Sequence, residues 1–302
     1  MHRPCQCQSN FRGIEAGDSV FQFPDPVIVP PARAPHELTV VFLHGRGHTG
    51  QATRDSLLAT IIRKDTAFCE ALCHARFVFP TAPLTRATKY RRSLVRQWYD
   101  GTGDWEPEAR GSMRPSIDYI RGLIRTEIEI LGGNSRKVVL AGFSQGCAMA
   151  LVSLLLWEGD PLGAVVGMSG FIPLNTYLMD ILESSSPTTG DVHIAGGIEW
   201  DDNRQSDSRG PLQVAIDELR QEAELPIKAD STLVFPFQST PVFLGHGTAD
   251  KSVELRHGQQ LAALLAKMGI DVEFRTYQGL EHKLSSDMLN HVADFVSKVS
   301  SR

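Results

Sequence analysis

The chain has 302 residues, 30 of them Lys or Arg and 35 Asp or Glu, for a formal net charge of −5. A mildly acidic chain lacks the basic footprint of a nucleic-acid binder, and a hydrophobic share of 42% is ordinary for a globular protein with a sizeable core. This length accommodates two average domains or one large α/β domain.

Residues 1–37 are rich in proline and polar groups (FPDPVIVPPARAPHE) and read as an extended lead-in to a single domain over 38–302. Leu38-Thr-Val-Val-Phe-Leu43 is apolar on both faces, as a strand buried in a parallel sheet is. It runs into His44-Gly45-Arg46-Gly47. A helix is expected over 51–63 and a strand over 76–80. The basic stretch 86–96 (RATKYRRSLVR) reads as a solvated loop. Residues 116–131 give the clearest helix, with Ile117, Ile120, Ile124, Ile128 and Leu131 on one stripe and Gly132-Gly133-Asn134 as its stop. A strand at 137–140, a helix at 145–157 and a strand at 163–168 follow. Between 176 and 238 the rhythm breaks into turn-rich polar stretches around one short helix at 212–225. That segment reads as an insertion, part loop and part lid. Beyond it come a strand at 241–244, a helix near 253–268, a strand at 271–277 and an amphipathic helix at 284–299. Strands alternating with helices predict an α/β fold, a mostly parallel sheet covered on both faces.

The five cysteines, Cys5, Cys7, Cys69, Cys73 and Cys147, are odd in number and fit no disulfide framework. Cys69, Cys73 and His74 (CEALCH) offer two or three metal ligands, but no second Cys/His pair stands at zinc spacing. They read as small hydrophobes, with no metal and no other cofactor expected. The N-terminal MHRPCQCQSNFRG has no apolar core of a secretory leader, and the apolar stretch after Ser144 is too short to span a bilayer. A reducing, cytoplasmic compartment is the expectation.

The chemistry centres on Gly142-Phe143-Ser144-Gln145-Gly146, between an expected strand and an expected helix. This is the pattern of a nucleophile elbow, a tight turn that exposes a serine and aims the next amide, that of Gln145, at the oxyanion it creates. A serine hydroxyl needs a base to act near neutral pH, and in such folds the acid and then the base follow in the chain. Asp250 follows the 241–244 strand, and His282 follows the 271–277 strand, both at the sheet edge where sites form. His246 and Glu281 are the rival base and acid. The second oxyanion amide is expected from the His44-Gly45-Arg46 turn, at Arg46.

The motifs LHGRGHTG, FVFPTAP, QWYD, GFSQGCAMAL, GHGTAD and GLEH, in this order, resemble the acyl-protein thioesterase family, also called the phospholipase/carboxylesterase family. The resemblance implies an α/β-hydrolase fold without a large cap and hydrolysis of thioesters or oxyesters, the partner being a small-molecule ester or an acylated protein. It implies a Ser144, Asp250, His282 triad with oxyanion amides at Arg46 and Gln145, and Trp98 in QWYD near the substrate with His44 and Gly45. Arg46 and His48 depart from the family, which usually has leucine and aspartate there, and 176–238 is longer than in compact members. The same triad would also serve an acyltransferase or a cyclising enzyme if water were excluded; a non-catalytic binding protein on this scaffold is the third reading.

Overall fold

The computed structural model describes residues 22–101, 113–184, 209–227 and 234–301. In chain order its elements are β1 (Val27–Val29), β2 (Leu38–Leu43), α1 (Gly50–Leu58), β3 (Ile61–Arg63), β4 (Thr66–Ala67), α2 (Phe68–Ala71), β5 (Ala75–Phe79), β6 (Leu84–Ala87) and β7 (Ser93–Arg96). They continue with α3 (Arg114–Ile130), β8 (Val138–Phe143), α4 (Gln145–Leu155), β9 (Ala164–Met168), α5 (Asn175–Ser184) and α6 (Pro211–Glu222). Last come β10 (Val242–Gly247), α7 (Leu255–Lys267), β11 (Val272–Tyr277) and α8 (Ser286–Ser300).

The apolar runs pair into a seven-stranded sheet of order β1-β5-β2-β8-β9-β10-β11. Every pairing in it is parallel except β1 with β5, which is antiparallel. Side chains alternate across each strand, so the sheet feeds two cores. Val41, Leu43, Leu140, Val165 and Leu244 pack against α3, α4, α5, α6 and α7. Val40, Phe42, Val139, Val166 and Phe243 pack on the other face against α1, α2 and α8. α4 is buried along its whole length, which explains why its sequence is apolar all round rather than striped. The sheet and its helices on both faces are those of an α/β-hydrolase fold.

Three segments differ from the sequence reading. The helix expected over 51–63 ends at Leu58, because Ile61–Arg63 turn back as β3 to pair with β4. The basic stretch 86–96, read as a solvated loop, belongs to a β6–β7 hairpin whose tip is a 3-10 turn over Thr88–Tyr90. Inside 1–37, Val27–Val29 forms the edge strand β1. Within 176–238, α5 and α6 pack on each other and place Leu178, Leu182, Ile216 and Leu219 in the core; 185–208 and 228–233 lie outside the described residues. No helix among the described residues is long and apolar enough to cross a membrane.

Candidate active site

The carboxyl ends of β2, β8, β10 and β11 converge on one edge of the sheet, the edge where open α/β sheets build sites. β8 ends at Phe143 and α4 begins at Gln145, so Ser144 alone makes the turn. Its backbone sits at φ 55° and ψ −121°, a conformation that costs free energy unless the surroundings impose it. They do so by crowding. A Cβ on Gly142 would strike the Gly146 carbonyl, and one on Gly146 would strike the Leu43 carbonyl of β2.

Of the residues singled out in the sequence, the structure brings Ser144, His282 and Asp250 into one hydrogen-bonded run. Ser144 Oγ lies 3.0 Å from His282 Nε2, and His282 Nδ1 lies 2.7 Å from Asp250 Oδ2. A proton on Nδ1, donated to the carboxylate, leaves Nε2 free to accept one from the serine. The other Asp250 oxygen accepts the amides of Ser252 and Val253, both at 2.9 Å. Burial works to raise the Asp250 carboxyl. The hydrogen bonds from His282, Val253 and Ser252 outweigh it and hold its pKa below the ordinary value. The result is a charged, solvent-free carboxylate facing the imidazole.

The rivals are occupied elsewhere. His246 Nε2 lies 2.8 Å from the Val253 carbonyl, and its ring takes the space that a Cβ on Gly258 would fill. Burial lowers its pKa against the opposing pull of that carbonyl and of Asp250. It buttresses the turn that carries the acid. Glu281 points to solvent beside Lys283.

Two backbone amides beside Ser144, those of Arg46 and Gln145, have no acceptor among the described residues. The Arg46 N–H makes no hydrogen bond to a described residue, and Gln145 opens α4, where first-turn amides have no partner within the helix. The Arg46 turn is pinned from beneath. Trp98 Nε1–H donates to the His44 carbonyl at 2.8 Å, and His44 Nδ1–H donates to the Gly45 carbonyl at 2.7 Å. That carbonyl and the Arg46 N–H belong to one peptide unit, so the second bond sets where the N–H points. Ala82 N–H donates to His44 Nε2 at 2.9 Å, which fixes the tautomer. Burial lowers the His44 pKa to about 4, so the ring stays neutral.

The resemblance set Trp98, His44 and Gly45 against the substrate. Gly45 does line the cavity that holds Ser144 and His282. Trp98 and His44 do not: at 0% and 1% exposure they lie under the turn and shape it from below. Gln145 has a role beyond its backbone. Its side chain accepts from the Trp98 N–H at 3.0 Å and donates to the Tyr99 carbonyl at 2.8 Å, clamping the QWYD segment to the elbow. The cavity measures about 250 Å³, with Arg46, Lys89 and Phe171 among its walls. A wider hollow of about 710 Å³ beside β11 and α8 is lined by none of Ser144, His282 and Asp250. Among the described residues no group of three or more His, Cys, Asp or Glu is placed to hold a metal ion.

A model of the phospholipase/carboxylesterase family matches residues 24–195 and 223–300. Acyl-protein thioesterase 1 of Yarrowia lipolytica is 26% identical, over 91% of this chain and 99% of its own. A probable inactive carboxylesterase of Oryza sativa is 27% identical, over 90% of this chain and 88% of its own. The crystal structure of Arabidopsis thaliana SOBER1 superposes with a TM-score of 0.59 at 21% identity, covering 87% of this chain and 98% of that one.

Proposed function

Because the chain belongs to the phospholipase/carboxylesterase family, we propose that it hydrolyses carboxylic esters or thioesters with Ser144 as nucleophile. The run from Ser144 Oγ through His282 to Asp250, at 3.0 and 2.7 Å, carries this reading. His282 Nε2 takes the serine proton as Oγ attacks the carbonyl, and Asp250 stabilises the imidazolium. The amides of Arg46 and Gln145 hold the oxyanion, a device whose loss typically costs about 10²–10³ in rate per donor. The leaving alcohol or thiol takes the proton back from His282, and Ser144 is left acylated. Water, deprotonated by the same nitrogen, then attacks the acyl-enzyme and releases the acid. Small-molecule esters fall within this chemistry, as do the acylated proteins in the name of the Yarrowia relative.

Two measurements test the reading: turnover of para-nitrophenyl acetate, and labelling by a fluorophosphonate. The wild-type chain should show both. Ser144→Ala should abolish labelling and lower kcat by about 10³-fold or more. Full activity in that variant, or labelling at another serine, would sink the assignment. An unreactive wild-type chain would place it beside the inactive relative from rice.

A further inference from the structure

We infer that the substrate carries an anionic group, a carboxylate or a phosphate, within a few bonds of the scissile carbonyl, and that Arg46 grips it with Lys89 alongside. This rests on the hydrolase reading, because the cavity concerned is the one that holds Ser144.

Arg46 supplies the first observation. Its Nε and Nη2 atoms are shielded from solvent, and neither has a hydrogen-bond partner among the described residues. Those two nitrogens form one edge of the guanidinium, the fork that holds two oxygens of a carboxylate or phosphate in parallel. Shielding a cationic donor edge without an acceptor is costly; a turn of this long side chain would bring the edge to the cavity that Arg46 lines, where a paired-oxygen anion satisfies it. A neutral carbonyl would engage one donor and leave the charge uncompensated.

The walls supply the second. Arg46 and Lys89 line the same cavity as Ser144 and His282, and no Asp or Glu is among its described lining residues. Lys89 is exposed at the rim, where solvent weakens its pull. The turn that carries it is tethered, because the neighbouring Thr88 N–H donates to the Asp100 carboxylate at 2.9 Å. Size supplies the third. At about 250 Å³ the cavity falls below the ~300–1,000 Å³ usual for drug-sized ligands, so the anion and the ester must sit close together.

The test compares para-nitrophenyl hemisuccinate with para-nitrophenyl levulinate, which puts a methyl ketone where the hemisuccinate has its carboxylate. At low salt the wild-type chain should favour the hemisuccinate about tenfold or more in kcat/KM. Arg46→Gln should bring the ratio of the two kcat/KM values near one, and Lys89→Gln should lower it about threefold. The ratio is indifferent to any general loss of activity. Inorganic phosphate that competes with the hemisuccinate extends the anion to phosphates, and failure to compete confines it to carboxylates. A second arm needs no turnover. Monomethyl succinate should bind the Ser144→Ala protein more tightly than dimethyl succinate in calorimetry, and adding Arg46→Gln should erase the difference. Equal or inverted preference in the binding arm, or in the kinetic arm when both esters are turned over, overturns the inference. Levulinate hydrolysis alone would then leave the hydrolase reading intact. A binding preference without turnover of either ester keeps the anion grip and removes the hydrolase reading.

Discussion

Asp250 does two jobs with two oxygens, one on the His282 ring and one on the backbone of its own turn. Asp250→Asn preserves the shape but presents an amide N–H to His282 Nδ1 and favours the wrong tautomer. Its kcat should fall about 10³–10⁴-fold; a fall under about tenfold would remove Asp250 from the triad. His44 makes a different prediction. Its pKa is lowered from 6.5 to about 4 in the folded chain, so between those values the unfolded state binds a proton that the folded state refuses. Stability therefore falls as pH falls, by about 1.4 kcal/mol per unit and about 3 kcal/mol by pH ~4. Denaturant titrations should show a shallower loss over that window in His44→Gln than in wild type; parallel curves would mean that His44 is not neutral in the fold. The hydrogen-bonded run Ser144–His282–Asp250 is legible in the sequence because each member sits at or just past the end of a strand. The role of His44 is not, since its tautomer depends on the Ala82 amide 38 residues away, and nothing local to either residue encodes that meeting.

Among the elements, the elbow is the least tolerant. Gly146 touches the Leu43 carbonyl so closely that any side chain would push α4 off β2. Gly146→Ala should cost about 1–3 kcal/mol, seen as a fall in Tm. Gly122, in α3, has nothing within 4 Å of an added Cβ, so Gly122→Ala should instead gain about 0.5–1 kcal/mol from helix propensity. If both variants melt alike, contact at the elbow is not what demands glycine there. Long elements with apolar stripes or runs, such as β2, α3 and α8, are readable from periodicity. The short ones are not. β1 is three residues between Pro26 and Pro30, a composition that resembles a linker and that only an edge strand tolerates. The β6–β7 hairpin lacks apolar alternation because much of it faces solvent, so its charge hides its pairing. α1 ends early because Ile61 and Arg63 find strand partners in β4, a tertiary choice that overrides helical spacing.

At the scale of the molecule, the two cores lock the sheet between them, and Cys147 reports on that lock. Its side chain fills the space that Gly167 and Gly170 leave behind the elbow, and burial pushes its thiol up to about 12. Thiolate is the reactive form, so alkylation of the native chain should mark the half-buried Cys69 and Cys73 and spare Cys147. Peptide mapping by mass spectrometry should find Cys147 labelled only at the rate of global unfolding; labelling at the same rate as Cys69 would show that the elbow opens locally. The parallel order of the central strands is legible from the alternation of elements, while their order in space is not, because parallel neighbours are joined through crossovers that leave no mark on the strands themselves.

That order also imposes a timetable. Ser144 and His282 are 138 residues apart, and β11, which delivers His282, is the outermost strand of its edge. At about 5–20 residues per second, the serine leaves the ribosome roughly 7–28 s before its base. Under the proposed mechanism the nascent chain thus passes through the crowded vicinity of its own synthesis with a nucleophile that is shaped but unarmed, and it becomes reactive only when the last strand docks.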